Sequence, residues 1–294
     1  MRSPARRAPR RRRLHREGTA PPRRAAQPQR PSVSRAGRRT RPREVVTREG
    51  GSGNSSSVIK VAAAGDIHAG GAGDKRFAAV FADAAREADL VLLAGDLTRH
   101  GEPRELDALL DAARGIEVPV SAVLGNHDWH GNRCDELTAQ LSDGGVRVLD
   151  KSSAVFDVDG TSVGVAGVKG FVGGFPDSAL PDFGEPSLRR VYAETTAEVE
   201  GLDRALAEIA SCSVRIALMH YAPTSATLEG EPPGIWAFLG SDRLAGPIAE
   251  HRPDIVLHGH GHMGVFRGAI GDVPVYNVAQ PVIGKDFEIF ELGN

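Results

Sequence analysis

Five short segments of the sequence carry side chains able to ligate metal. They are Asp66-Ile67-His68, Gly95-Asp96, Gly125-Asn126-His127-Asp128, His220, and Gly259-His260-Gly261-His262. The donors are carboxylate, imidazole and amide, with no thiolate among them. That set suits Mn²⁺, Fe or Zn²⁺ in an open catalytic site rather than a closed structural zinc site. Taken singly, each segment has an ordinary explanation. Asp66 or Asp96 could cap a turn or helix, Asn126 could occupy a left-handed turn, and His220 could be a hydrogen-bonded core histidine. His260 and His262 alternate in an extended segment, which points both to one side. The five together, in this order, point to a metal site.

Each segment stands at the end of an apolar run. Val58–Ala64, Leu90–Ala94, Val118–Leu124, Val214–Met219 and Ile255–Leu257 read as buried strands. In open α/β sheets the C-terminal ends of the strands form the ligand crevice, and the glycines before Asp66, Asp96, Asn126 and His260 suit sharp turns. Helical patterns lie between the strands. Phe77, Val80, Phe81 and Ala84 recur at helical spacing after a possible cap at Asp74. Leu106, Leu109, Leu110 and Ala113 repeat the pattern. A longer helix is expected from about Ser187 to Ala210, with Val191, Val199, Leu202, Leu206 and Ile209 inward. Residues 155–165 read as a hairpin around Asp159-Gly160. Residues 265–278 read as a second antiparallel pair around Gly271-Asp272, and Phe287–Leu292 as a final strand. The expected fold is mixed α/β, with two packed mixed β-sheets flanked by helices.

The order D-x-H, G-D, G-N-H-D, a lone His and G-H-x-H resembles the calcineurin-like metallophosphoesterase superfamily, over residues 58–294. The resemblance implies a four-layer αββα sandwich and two divalent metal ions, with Mn²⁺ favoured. By position it implies one ion held by Asp66, His68 and His262, and another by Asn126, His220 and His260, with Asp96 bridging. It implies hydrolysis of a phosphomonoester or phosphodiester by a hydroxide held between the ions, with His127 protonating the leaving oxygen. Asp128 is then expected to orient the His127 ring, or else to cap a turn. The alternative activity is a cyclic-nucleotide or nucleotide phosphodiesterase. A non-catalytic scaffold on the same fold would be marked by lost ligands, and this chain retains all of them.

Two segments rich in glycine and proline could set specificity. Residues 169–186 carry Phe171, Phe175 and Phe183, and residues 224–240 carry Trp236 and Phe238. Phe171 and Trp236, together with His100 just after Asp96, are the candidate lining of a substrate pocket. The aromatics could stack on a base, cover an apolar alcohol group, or plug the core beneath a loop. His251 reads as a cation at a helix end, and His258 as part of a strand.

Charge divides the chain unevenly. Residues 1–50 hold 17 Arg and 3 Glu, a net of +14, so the overall −2 leaves −16 on the remainder. Residues 1–57 lack the large apolar residues needed to offset ordering entropy and read as a disordered tail, with residues 58–294 as the catalytic domain. The tail is either a solvated extension or an electrostatic arm for nucleic acid or an anionic surface, the latter allowing a nucleic-acid-directed nuclease. Two cysteines, Cys134 and Cys212, make no disulfide framework and are expected to be small buried apolar residues. No apolar run is long enough to span a bilayer and no secretory signal is evident, so a cytoplasmic protein acting on a small-molecule phosphoester is expected.

Overall fold

The computed structural model describes residues 58–71, 74, 76–176 and 178–293. The basic segment 1–57 lies outside the described residues.

The first half alternates strand and helix: β1 (Ile59–Ala64), α1 (Arg76–Glu87), β2 (Leu90–Ala94), α2 (Asp107–Arg114), β3 (Val120–Val123), α3 (Cys134–Asp143) and β4 (Val146–Val148). The hairpin β5 (Ser152–Val158) and β6 (Thr161–Gly167) follows, then α4 (Pro186–Glu208), β7 (Val214–Leu218), α5 (Trp236–Leu239), α6 (Ala245–His251) and β8 (Ile255–His258). The chain closes with β9 (Arg267–Ile270), β10 (Val273–Asn277), α7 (Gln280–Ile283) and β11 (Glu288–Leu292). One sheet has the order β11-β1-β2-β3-β4 and the other β5-β6-β7-β8-β10-β9. β1, β2, β3 and β4 run parallel, in register Val61↔Leu90 and Val91↔Val120, while β11 closes the edge antiparallel to β1. In the second sheet β6, β7, β8 and β10 are parallel and β5 and β9 antiparallel.

Strands covered on both faces must be apolar throughout, and residue parity sorts their side chains. Ile59, Val61, Ala63, Leu90 and Leu92 meet Val163, Val165, Ile216, Leu218, Ile255 and Leu257 between the sheets. The intervening Ala62, Val91, Leu93 and Ala122 face outward against Phe77, Phe81, Leu109, Leu110, Leu137 and Leu141 of α1–α3. On the far side Ala166, Ala217 and Val256 pack under Leu202, Ala205 and Leu206 of α4 and Ile248 of α6. The result is the expected four-layer αββα sandwich. Each fully buried large side chain contributes about 1.5–3 kcal/mol.

Some expectations change. In α4, Leu202, Leu206 and the adjoining Ile209 are buried as expected, but Thr195 and Glu198 are buried too. Thr195 Oγ1 donates to the Val172 carbonyl at 2.6 Å, and Glu198 Oε2 accepts from Gly170 N at 2.9 Å, so this stretch of helix packs on backbone. Asp74 precedes α1 but spends its carboxylate on Arg76 Nε, 2.9 Å away. Both cysteines are free and only partly buried, lying at the margins of two cores. Among the described residues, no helix is long and apolar enough to cross a membrane.

Candidate metal centre

The five motifs follow β1, β2, β3, β7 and β8. The first three strands are mutually parallel in one sheet and the last two in the other, so the motifs share the C-terminal edges. The two edges are laced together. Gly65 N donates to the Val278 carbonyl at 2.8 Å, His260 N to Asp66 Oδ2 at 2.9 Å, and His220 Nδ1 to the Ala94 carbonyl at 2.9 Å.

Turning side chains into this edge takes unusual backbone. Among the described residues eight non-glycine residues have positive φ, and four are candidate ligands: Asp66 (58°), His68 (48°), Asp96 (51°) and His260 (71°). Left-handed backbone is costly for residues other than glycine and gathers where structure over-determines it. Here Asp66 N and His68 N donate to the carbonyls of Gly95 and Asp96 at 3.0 and 2.9 Å, which hold the turn in place. Glycine is needed where the ligands crowd the backbone: a Cβ at Gly125 would collide with Asp96, and one at Gly259 with Asp66 Oδ2.

The ligand atoms converge. Asp66, His68 and His262 can offer atoms within 4.8 Å of one another, as can His68, Asp96 and His127, and Asp96, His220 and His260. Asp96 and His68 each belong to two of these groups. His220 is fully buried. Its Nδ1 donates to the Ala94 carbonyl, so in the neutral ring Nε2 carries a lone pair. That lone pair faces Asn126 Oδ1 at 2.9 Å and Asp96 Oδ1 at 3.3 Å. A divalent ion seated among these three atoms would take all of them as ligands. His68 Nδ1 is buried with no hydrogen-bond partner among the described residues, as a metal ligand would be. The donor set therefore fits divalent metal ions.

The electrostatics favour the ligating protonation states of Asp66, His68 and His260, while His262 is drawn toward its charged form by Asp66. Burial lowers the pKa of His68 from the ordinary imidazole range and pushes His260 down to about 3, which favours the neutral ring in each. Burial alone would raise Asp66, but the hydrogen bond from His262, the nearby His220 and His262 rings, and the His260 N–H carry it to about 2. His262 Nε2 lies 2.7 Å from Asp66 Oδ1, a bond that raises the pKa of its ring.

His127 stands at the open side. Its backbone N–H donates to Asp96 Oδ1 at 2.8 Å and its Nδ1 to the Arg99 carbonyl at 2.8 Å. Its Nε2 lies 3.9 Å from Asp96 Oδ2, and its ring packs 4.6 Å from that of His68. The orienting group is thus the Arg99 carbonyl. Asp128, expected to hold the ring, is fully buried and engaged elsewhere. It accepts from Leu97 N (3.2 Å), Thr98 N (2.8 Å), Thr98 Oγ1 (2.7 Å) and Gly125 N (2.8 Å), and so ties the Asp96 loop to the Asn126 turn.

The three pocket candidates separate. His100 is exposed, pairs with Glu105 Oε1 at 2.8 Å, and lines a surface pocket of about 470 Å³ with Arg99, Arg104 and Gly71. Phe171 packs on Tyr221, with ring centres 5.8 Å apart, and Tyr221 packs on His260 at 4.6 Å, so Phe171 is one ring from the centre. Trp236 is turned inward. It packs against the Phe175, Ala222, Leu228 and Leu239 cluster, and its Nε1 donates to the Glu231 carbonyl at 3.0 Å, so it supports a loop rather than lining a pocket. Sequence reasoning missed Tyr221, although its place beside His220 was a signal. It also missed Lys169, whose buried amine lies 4.1 Å from the Phe171 ring centre and 5.4 Å from that of Tyr221. His258 is a core histidine as expected, bonded to Thr227 Oγ1 at 2.8 Å and pushed down to about 4 by burial.

A model of the family described as calcineurin-like phosphoesterase matches residues 59–264. The chain belongs to that family. Among solved structures this phosphoesterase is similar to the phosphopantetheinyl hydrolase of Mycobacterium tuberculosis, with 17% identity and a TM-score of 0.58, covering 76% of this chain and 89% of that one. It is also similar to GAP50 of Plasmodium (14%, TM-score 0.49, 76% and 72% covered) and to a purple acid phosphatase of yellow lupin (14%, 0.41, 76% and 44%). At such identities the first likeness shows the fold alone. No curated protein matches the sequence.

Proposed function

We propose that this phosphoesterase is a binuclear hydrolase of small-molecule phosphate esters. Asp66, His68 and His262 would hold one divalent ion, Asn126, His220 and His260 the other, and Asp96 both. Mn²⁺, Fe and Zn²⁺ suit these donors, and Mn²⁺ is the first to test. When bound, such a pair supplies Lewis acidity toward phosphoryl oxygens and an activated water. The observation that carries the reading is the convergence of His220 Nε2 with Asn126 Oδ1 at 2.9 Å and Asp96 Oδ1 at 3.3 Å, three atoms of ligating type at one point.

The chain's own groups supply the rest. The Arg99 carbonyl fixes His127 with Nδ1 protonated and Nε2 free. As an imidazolium, His127 would donate from Nε2 to the leaving oxygen without losing its anchor. The Ala94 carbonyl fixes the tautomer of His220, as partners of ligating histidines do. Asp128 joins the two loops that present Asp96 and Asn126. The test is a panel of phosphomonoesters and phosphodiesters on protein stripped of metal and then restored with Mn²⁺. Hydrolysis that returns with Mn²⁺ supports the reading, and full turnover by stripped protein in chelator rejects it.

A further inference from the structure

Five of the eight large apolar side chains exposed among the described residues sit on segments that carry or touch the candidate ligands: Trp129, Ile235, Phe238, Met263 and Val265. Val58, Val155 and Phe183 make up the rest. Apolar residues exposed singly need no explanation, but a cluster rimming a polar site marks a binding surface. Trp129 follows the His127-Asp128 pair directly, and Met263 follows His262. Phe238 is 60% exposed, and its carbonyl lies 3.2 Å from His260 Nε2.

The exposure is built in. Met263 N donates to Glu231 Oε1 at 2.7 Å and Val265 N to the Thr227 carbonyl at 3.1 Å, so the two rim segments are tied together. Trp236, between Ile235 and Phe238, buries its ring against Phe175, Ala222, Leu228 and Leu239 and is bonded to the Glu231 carbonyl. One aromatic of α5 is spent as an inward anchor, and this leaves Phe238 facing solvent. Exposed apolar side chains beside a polar centre match an amphiphilic ligand, polar where it meets the ligating residues and apolar beside them.

We propose that the rim binds the apolar alcohol portion of the substrate, so that the ester cleaved joins a phosphate to an alkyl or aromatic group lying over Phe238, Ile235 and Met263. The inference rests on the phosphoesterase reading. Continuity decides the occupant: Met263 adjoins His262, Trp129 stands two residues after His127, and the Phe238 carbonyl lies 3.2 Å from His260 Nε2, so an ester with its phosphorus at the centre extends its next atoms toward them. Covering such a surface stabilises a bound chain by about fourfold in affinity per methylene.

The test is calorimetry on Mn²⁺-loaded full-length protein with n-alkylphosphonates from methyl to dodecyl, each below its micellar concentration. Affinity should rise about fourfold per methylene while the chain covers the rim. The Phe238→Ser/Met263→Ser double variant should flatten that slope toward one. Both sites are exposed, so the substitutions do not threaten the core. Val155→Ser, exposed on β5, should keep the wild-type slope. A flat slope in the wild type, with methylphosphonate bound, overturns the proposal and leaves the phosphoesterase reading standing. So does a slope unchanged in the double variant. A wild-type dimer that the double variant dissolves, with a flat slope in both, shows instead an interface between copies. Failure of every phosphonate to bind metal-loaded protein overturns the phosphoesterase reading and this proposal with it.

Discussion

Asp96 belongs to two of the three groups of side chains that could hold a metal ion. Its Oδ2 lies 4.0 Å from His68 Nε2 and its Oδ1 3.3 Å from His220 Nε2, while Oδ1 also accepts the His127 N–H at 2.8 Å. A carboxylate shared by two dications offsets their repulsion, and an amide there would not. Asp96→Asn is therefore expected to lose at least one ion per chain and nearly all turnover, read together by elemental analysis and kinetics. A variant that keeps both ions and near-normal turnover rules out the bridging role. His127 has a different signature, because it is not assigned to metal. An alkoxide leaving group needs a proton in the transition state and a nitrophenolate hardly does. His127→Ala should slow alkyl ester hydrolysis by roughly 10²–10⁴ and p-nitrophenyl ester hydrolysis much less. Equal losses on both would assign the residue to phosphate binding instead.

At the scale of elements, the turns matter more than the strands they follow. The strands were legible because burial on both faces forces continuous apolar runs: Leu90–Ala94 was expected with its observed bounds, and Ile59–Ala64 and Val214–Leu218 within one residue. The candidate ligands were legible because each sits where such a run stops. Less was legible where contacts come from far along the chain. Asp128 looked like the partner of its neighbour His127, yet its four donors come from Leu97, Thr98 and Gly125. Only the pairing of β2 with β3 brings those loops together. Trp236 and Glu198 were obscured in the same way, one by a loop core and the other by the backbone N–H of Gly170. Asp128→Ala strands several buried donors, each costing about 1–3 kcal/mol. Its melting temperature should fall by several degrees, with turnover of alkyl and nitrophenyl esters reduced alike. A loss confined to alkyl esters would restore Asp128 as the partner of His127.

At the scale of the whole molecule, every candidate ligand and the hydrophobic clusters described above lie within residues 58–293. The Arg-rich segment 1–50 lies outside the described residues. Its deletion should leave turnover of small esters and the melting temperature unchanged while weakening any salt-dependent binding to nucleic acid. A large loss of turnover would give the segment a part in the active protein. In the proposed reading, the edge shared by the two sheets holds a pair of metal ions that makes the protein a phosphoesterase. The most direct measurement is a Mn²⁺ titration of stripped protein, with bound metal and phosphoester turnover followed in the same samples. The account predicts two ions per chain at saturation, with turnover appearing as the sites fill. Saturation without bound metal, or turnover already complete before any metal is added, would contradict it.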